Sequence, residues 1–97
     1  MEKNSNKTID FKQVRLMYTS NQLMLSESYE RKAECVKSRK DLIYAQGVET
    51  AIYPYYLDRS RATSIGAYTA KINRLDKKIE ALKEENLRLR KIEWQDN

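Results

Sequence analysis

The second half of the chain places its apolar residues at alternating steps of three and four. This spacing is typical of a helix that packs lengthwise against another helix. Asn86 is the polar interruption of the pattern, and one amide in such a seam often fixes register and helix number. We therefore predict a long helix over residues 58–94, with Asp58 or Ser60 as its N-cap. The seam positions are Ile65, Tyr68, Ile72, Leu75, Ile79, Leu82, Asn86 and Leu89.

The first half of the chain has a less regular apolar stripe with steps of three, four or seven. It predicts a helix over residues 8–46, capped by Thr8 and ended by Gly47. The polar segment 19–22 is the place where this helix either continues or breaks. The stripe residues are Phe11, Val14, Tyr18, Leu25, Tyr29, Ala33, Val36 and Ile43.

The connector 47–57 contains Pro54, which prevents one continuous helix. Two long helices with such a connector predict an antiparallel αα-hairpin. With Pro54 at the centre, facing residues have numbers that sum to about 108. Asn86 then lies opposite Asn21 and Gln22, and these three residues form a predicted buried polar layer. The predicted fold is all-α: a disordered tail (1–7), then one hairpin or coiled-coil domain (8–97).

A parallel leucine-zipper dimer through residues 65–89 is the alternative. In that dimer Glu85 and Arg90 of opposite chains would attract, whereas Lys78 and Lys83 would repel. The apolar stripe of the first helix would also have nothing to pack against. We therefore favour the hairpin, and two hairpins can pair into a four-helix bundle.

The composition argues against an enzyme. The chain has 97 residues, 34% of them charged, with no histidine and one cysteine. The commonest general base and the usual zinc ligand sets are therefore missing. The two glycines are isolated and form no phosphate-binding loop. We expect no catalytic residue, no cofactor and no metal site.

The sequence also bears on location. Cys35 has no second cysteine to pair with, and the polar N-terminal residues MEKNSNKT do not resemble a signal peptide. Apolar runs are too short to span a bilayer. We expect a cytoplasmic protein with no membrane contact.

The connector is a candidate site for a protein partner, because tyrosines bring large contact areas with few rotatable bonds. The alternative is that it folds back as a plug over Tyr44 and Ile65. The partner-binding candidates are Ile52, Tyr53, Tyr55, Tyr56 and Leu57.

Apolar residues outside the seams lie towards the open end of the predicted hairpin. They are candidates for self-association as a homodimer. The alternative is that they enlarge the hairpin's own core. These residues are Leu16, Met17, Leu23, Met24, Leu87, Ile92 and Trp94.

The net charge is +5, which permits contact with nucleic acid through phosphates. Acidic residues are interspersed with the basic ones, so a solvated face is the favoured alternative. The candidate basic residues are Arg31, Lys32, Lys37, Arg39, Lys40, Arg74, Lys77 and Lys78.

The seam from residue 72 to residue 89 resembles that of basic-leucine-zipper transcription factors. The preceding segment, RSRATSIGAYTAK, lacks the dense basic run and central asparagine of that family, so the resemblance does not imply DNA reading. The small size and the Lys/Asn/Ile-rich composition resemble accessory proteins of bacteriophages and mobile elements. The predicted function is a small non-enzymatic helical interaction protein that acts as inhibitor, adaptor or regulator of another protein. The alternative is a small dimeric nucleic-acid-binding regulator.

Overall fold

The chain forms a helical hairpin. The computed structural model describes residues 10–55 and 58–95, the last three of them (93–95) as backbone only. Helix α1 spans Phe11–Ile52 and helix α2 spans Arg59–Gln95, and the two pack against each other along their length. The radius of gyration is 21.7 Å, whereas a compact domain of this length has about 12.5 Å. The prediction of an all-helical fold with two packed helices is confirmed for the described residues.

The N-cap of helix α1 lies two residues after the predicted one. The carboxylate of Asp10 accepts hydrogen bonds from the backbone N–H groups of Lys12 (3.1 Å) and Gln13 (3.2 Å), so Asp10 is the N-cap. The predicted cap Thr8 and the predicted disordered tail lie outside the described residues. Helix α1 is continuous through residues 19–22.

The prediction that Gly47 ends α1 is wrong, because the helix continues to Ile52. Gly47 does not adopt the positive φ that makes glycine a helix terminator. Pro54 ends the helix instead, since the ring of a proline disfavours helical geometry in the residue before it. Tyr53 accordingly has an extended backbone with φ −126° and ψ 83°.

The two helices are joined by an ionic contact at the connector. The carboxylate of Asp58 accepts from the backbone N–H of Arg61 at 3.0 Å and thereby caps α2. The Arg61 guanidinium also lies 3.5 Å from Asp58 and 3.1 Å from Glu49 of α1. We call Glu49, Asp58 and Arg61 the clamp, because they tie the last turn of α1 to the first turn of α2.

Side-chain contacts along the two packed helices, which we call the shaft, show that the helices are antiparallel. The pairs are Gln22 with Asn86, Lys32 with Asp76, and Arg39 with Thr69. The residue numbers of each pair sum to 108, the register obtained from the sequence with Pro54 as the centre.

Helix α2 turns its predicted seam towards α1. The buried apolar residues of the described chain are Ile72, Ile79, Leu82 and Leu89, and Asn86 is buried among them. The regular alternation of three and four residues accounts for this result, because it keeps one face of a long helix turned towards its neighbour.

The predicted seam of α1 is wrong in its middle. Tyr29, Val36 and Ile43 are 46%, 36% and 51% exposed, and the buried α1 residues are Asn21 and Ser28. The predicted stripe takes two consecutive steps of four after Leu25, and these steps carry it around the helix and off the seam. Regular alternation instead brings Ser28, Lys32, Cys35, Arg39 and Leu42 into line with α2, and none of these five is exposed.

No helix in the described ranges has an apolar stretch that is long enough to cross a membrane.

Candidate interaction surfaces

The connector carries a highly exposed aromatic tip. Tyr55 is 100% exposed, and Ile52 and Tyr53 are each more than half exposed. The described part of the connector does not fold back as a plug, since Tyr44 is 74% exposed. Tyr56 and Leu57 lie outside the described residues. We call Ile52, Tyr53 and Tyr55 the tip; the clamp lies at its base.

The polar layer lies near the other end of the shaft. Asn86 Nδ2 donates to Gln22 Oε1 at 2.8 Å, and Asn21 Nδ2 donates to Glu85 Oε1 at 3.1 Å. Asn86 is only 5% exposed, yet no donor within the described ranges reaches its Oδ1. The prediction that all three amides are buried is wrong for Gln22, which is exposed because it lies at the edge of the seam. Sequence reasoning also missed Glu85, which lies beside the seam rather than in it. We expect the layer to favour one axial position of the two helices, because a buried amide is unfavourable in shifted registers.

The described open-end candidates line two separate recesses. Leu16 and Met17 line a recess with Gln13 and Asn21, whereas Leu87 lines a different one with Tyr18 and Tyr29. Leu16, Leu23 and Leu87 are more than half exposed, Met17 is exposed to a lesser degree, and Met24 and Ile92 are half-buried. The side chain of Trp94 lies outside the part that the structure describes.

One edge of the helix pair forms a basic groove of about 420 Å³. It contains four basic side chains and one acidic side chain, so an anion would be attracted to it. Of the predicted basic candidates, Arg31, Arg74 and Lys78 lie in the groove, and Lys71 adds a fourth charge. The groove is lined by Arg31, Glu34, Cys35, Lys71, Arg74, Leu75 and Lys78.

The remaining basic candidates point elsewhere. Lys32 forms an ion pair with Asp76 at 2.6 Å, and Arg39 donates to Thr69 Oγ1 at 3.2 Å. Lys37, Lys40 and Lys77 are exposed at other positions. The structure thus gathers three of the eight candidates into one groove.

The other edge of the helix pair carries the displaced apolar residues of α1. We call Tyr29, Val36 and Ile43 the apolar stripe. The Nζ atom of Lys83 lies 6.0 Å from the centre of the Tyr29 ring, within reach of a cation–π contact. Near the connector, the stripe adjoins a recess of about 520 Å³ that is lined by Ile43, Gln46, Gly47, Thr50 and Ile65.

Sequence reasoning missed the apolar stripe as a surface because it placed these residues in the seam. Strictly alternating steps of four and three residues from Val14 lead to Ser28 and Cys35. This count assigns Ser28 and Cys35 to the seam and leaves Tyr29 and Val36 outside it.

Comparison of the chain with protein-family models, curated proteins and solved structures found no match.

Proposed function

We propose that the chain is a non-enzymatic helical interaction protein that acts as an inhibitor, adaptor or regulator of another protein through its tip. The observation that carries this proposal is the complete exposure of Tyr55 beside the exposed Ile52 and Tyr53. Large aromatic side chains that project from a surface are frequent anchors of protein interfaces.

The clamp supports the same proposal. Because Arg61 contacts both Glu49 and Asp58, the two helix ends that carry the tip are held together before any partner arrives. A site whose backbone is already ordered loses less conformational entropy on binding.

The proposal includes an assembly. We propose that α1 and α2 form an antiparallel coiled coil and that two copies associate into a four-helix bundle. The 11.5 kDa chain exposes 7920 Å², compared with about 5,800 Å² for an average folded monomer of that mass. Packing against a second copy would reduce this large surface.

The tip can be tested by affinity capture from cells of the source organism. We expect that replacing Tyr53 and Tyr55 together with Ala reduces the recovery of a captured protein at least about tenfold, as for interface anchors worth more than 1 kcal/mol. Helicity measured by circular dichroism should not change, because both side chains project into solvent. Quantitative mass spectrometry measures the recovery.

Tyr44→Ala is the matched control, since Tyr44 is a tyrosine of α1 outside the tip whose exposure lies between those of Tyr53 and Tyr55. It should capture the same protein as the unaltered chain. Equal recovery by all three proteins would exclude the tip as the binding site.

The basic groove favours a second candidate function, a small dimeric nucleic-acid-binding regulator. Arg31, Lys71, Arg74 and Lys78 converge there with Glu34 as the acidic member. Phosphates neutralised by such side chains release counterions, so binding would weaken steeply with salt.

The groove can be tested by measuring affinity for double-stranded DNA at several salt concentrations. We expect Arg74→Gln with Lys78→Gln to reduce the slope of log affinity against log salt by roughly 2, about 0.9 per lost phosphate contact. Lys37→Gln with Lys77→Gln is the control, because it removes the same charge outside the groove. Equal slopes for the two double variants would show that the groove is not a specific site.

A further inference from the structure

We propose that a second copy of this chain covers the apolar stripe, with the two hairpins packed antiparallel about a two-fold axis at Val36. This inference rests on the proposed dimer and identifies its interface. It places the interface on Tyr29, Val36 and Ile43 rather than on the open-end residues.

The spacing of the stripe fits a lengthwise contact. Its residues are seven apart, which places them in line along the hairpin at intervals of about 10 Å. All three remain exposed in the hairpin, although each is large and apolar. A straight row of this kind is what a parallel or antiparallel neighbouring helix buries.

The surface area indicates how much contact the fold can accommodate. The chain exposes 7920 Å², which exceeds the average for its mass by about 2,100 Å². A standard interface removes about 800 Å² from each partner. One face of the hairpin can therefore enter an interface of ordinary size and still leave the tip and the groove exposed.

The pattern about Val36 is self-complementary, which a two-fold dimer requires. Because Tyr29 and Ile43 lie seven residues on either side of Val36, each meets the other across the axis. The recess beside Ile43 would then receive the Tyr29 ring of the second copy.

Gly47 lines this recess. A Cβ added there would have nothing within 4 Å, and the backbone does not require a glycine. Glycine inside a helix costs about 1 kcal/mol relative to alanine. An aromatic ring inserted into the recess would offset that cost.

The charges permit a copy of the same chain at this edge more readily than at the basic groove. Lys40 lies four residues after Val36, and Asp76 lies beside Lys32, four residues before Val36. The two-fold axis brings Lys40 of one copy close to the Lys32–Asp76 ion pair of the other, where the Asp76 carboxylate lies near both lysines. At the opposite edge, two copies of the basic groove would repel each other.

The test is sedimentation equilibrium of purified full-length chain over a wide concentration range. We expect the unaltered chain to be a dimer and Val36→Lys to raise the dissociation constant roughly 100-fold or more, because the axis brings two lysines together. Val48→Lys is the matched control: Val48 is a similarly exposed valine of α1 outside the stripe, and its variant should remain dimeric.

Gly47→Leu is a second variant whose effect cannot come from unfolding. Leucine favours the helix more than glycine does, so helicity should not fall. Its side chain fills the recess, and we expect a roughly tenfold weaker dimer.

The outcomes separate this inference from the proposal on which it depends. If the unaltered chain is a dimer and both Val36→Lys and Gly47→Leu leave it intact, the apolar stripe is not the interface. Dissociation by Leu16→Lys with Leu23→Lys would then place the interface at the open end. A monomeric wild-type chain at the highest concentration overturns both the dimer and its interface. Binding by the tip is measured independently by affinity capture.

Discussion

Replacing Ile79 with alanine should lower the free energy of unfolding by about 3 kcal/mol. Ile79 is one of four buried apolar residues in the described hairpin and lies at mid-length on α2. The loss has two parts. One is the free energy of transferring three methyl or methylene groups between the core and water, and the other is the cost of a cavity that the rigid helix pair cannot close. Since small domains are marginally stable, the variant should be largely unfolded at room temperature.

Urea denaturation followed by circular dichroism measures this loss, with all proteins at one chain concentration because association adds to stability. Ile52→Ala is the matched control, since Ile52 belongs to α1 and is mostly exposed. It should cost less than about 1 kcal/mol. Similar losses for both variants would mean that α2 does not use the buried face described above.

Replacing Asn86 with leucine should raise the free energy of unfolding by about 1–2 kcal/mol. Asn86 is buried between Leu82 and Leu89, with one hydrogen bond to Gln22 and no donor for its Oδ1 among the described residues. Leucine removes the buried amide and adds apolar contact. Gln22 is exposed, so its amide regains water after the change.

The same substitution should loosen the axial position of the helices, because the amide is unfavourable in shifted registers and leucine is not. In a Cys35→Ser background, Lys32→Cys should crosslink with Asp76→Cys in preference to Thr69→Cys, one heptad away. Asn86→Leu should reduce that preference.

Asn73→Leu is the control for stability, since Asn73 is an exposed asparagine of the same helix. It should change the free energy of unfolding by less than about 0.5 kcal/mol. If Asn86→Leu destabilised the hairpin instead, the polar layer would contribute more to stability than its one short hydrogen bond indicates.

The seam of α2 and the register could be predicted from the sequence for physical reasons. The 3.5-residue period of α2 is apolar at nearly every turn, and Pro54 has a strong local effect on the backbone. These two features suffice to give the residue pairs that contact each other along the shaft. The exposure of Tyr53 and Tyr55 could not be predicted, because Pro54 determines where the helix ends but not whether the side chains around it fold back onto the helices.

The face that α1 turns to α2 could not be predicted in the same way. Pattern reasoning assigns apolar residues to the seam, yet Lys32 and Arg39 occupy it here. Their long aliphatic stems can cover apolar residues of α2 while their charged ends reach Asp76 and Thr69. A polar seam of this kind is visible only when the spacing is counted independently of hydrophobicity.

The position of the clamp has a consequence for the order in which the hairpin can close. Arg61 and Glu49 are separated by 12 residues, whereas Asn86 and Gln22 are separated by 64. Closing the longer loop directly costs about 1.5 kcal/mol more in chain entropy. The folding route with the lowest cost in chain entropy therefore starts at the clamp and proceeds along the shaft. Each new pair of contacts shortens the loop that the next pair must close. The polar layer is then the last of these contacts to form.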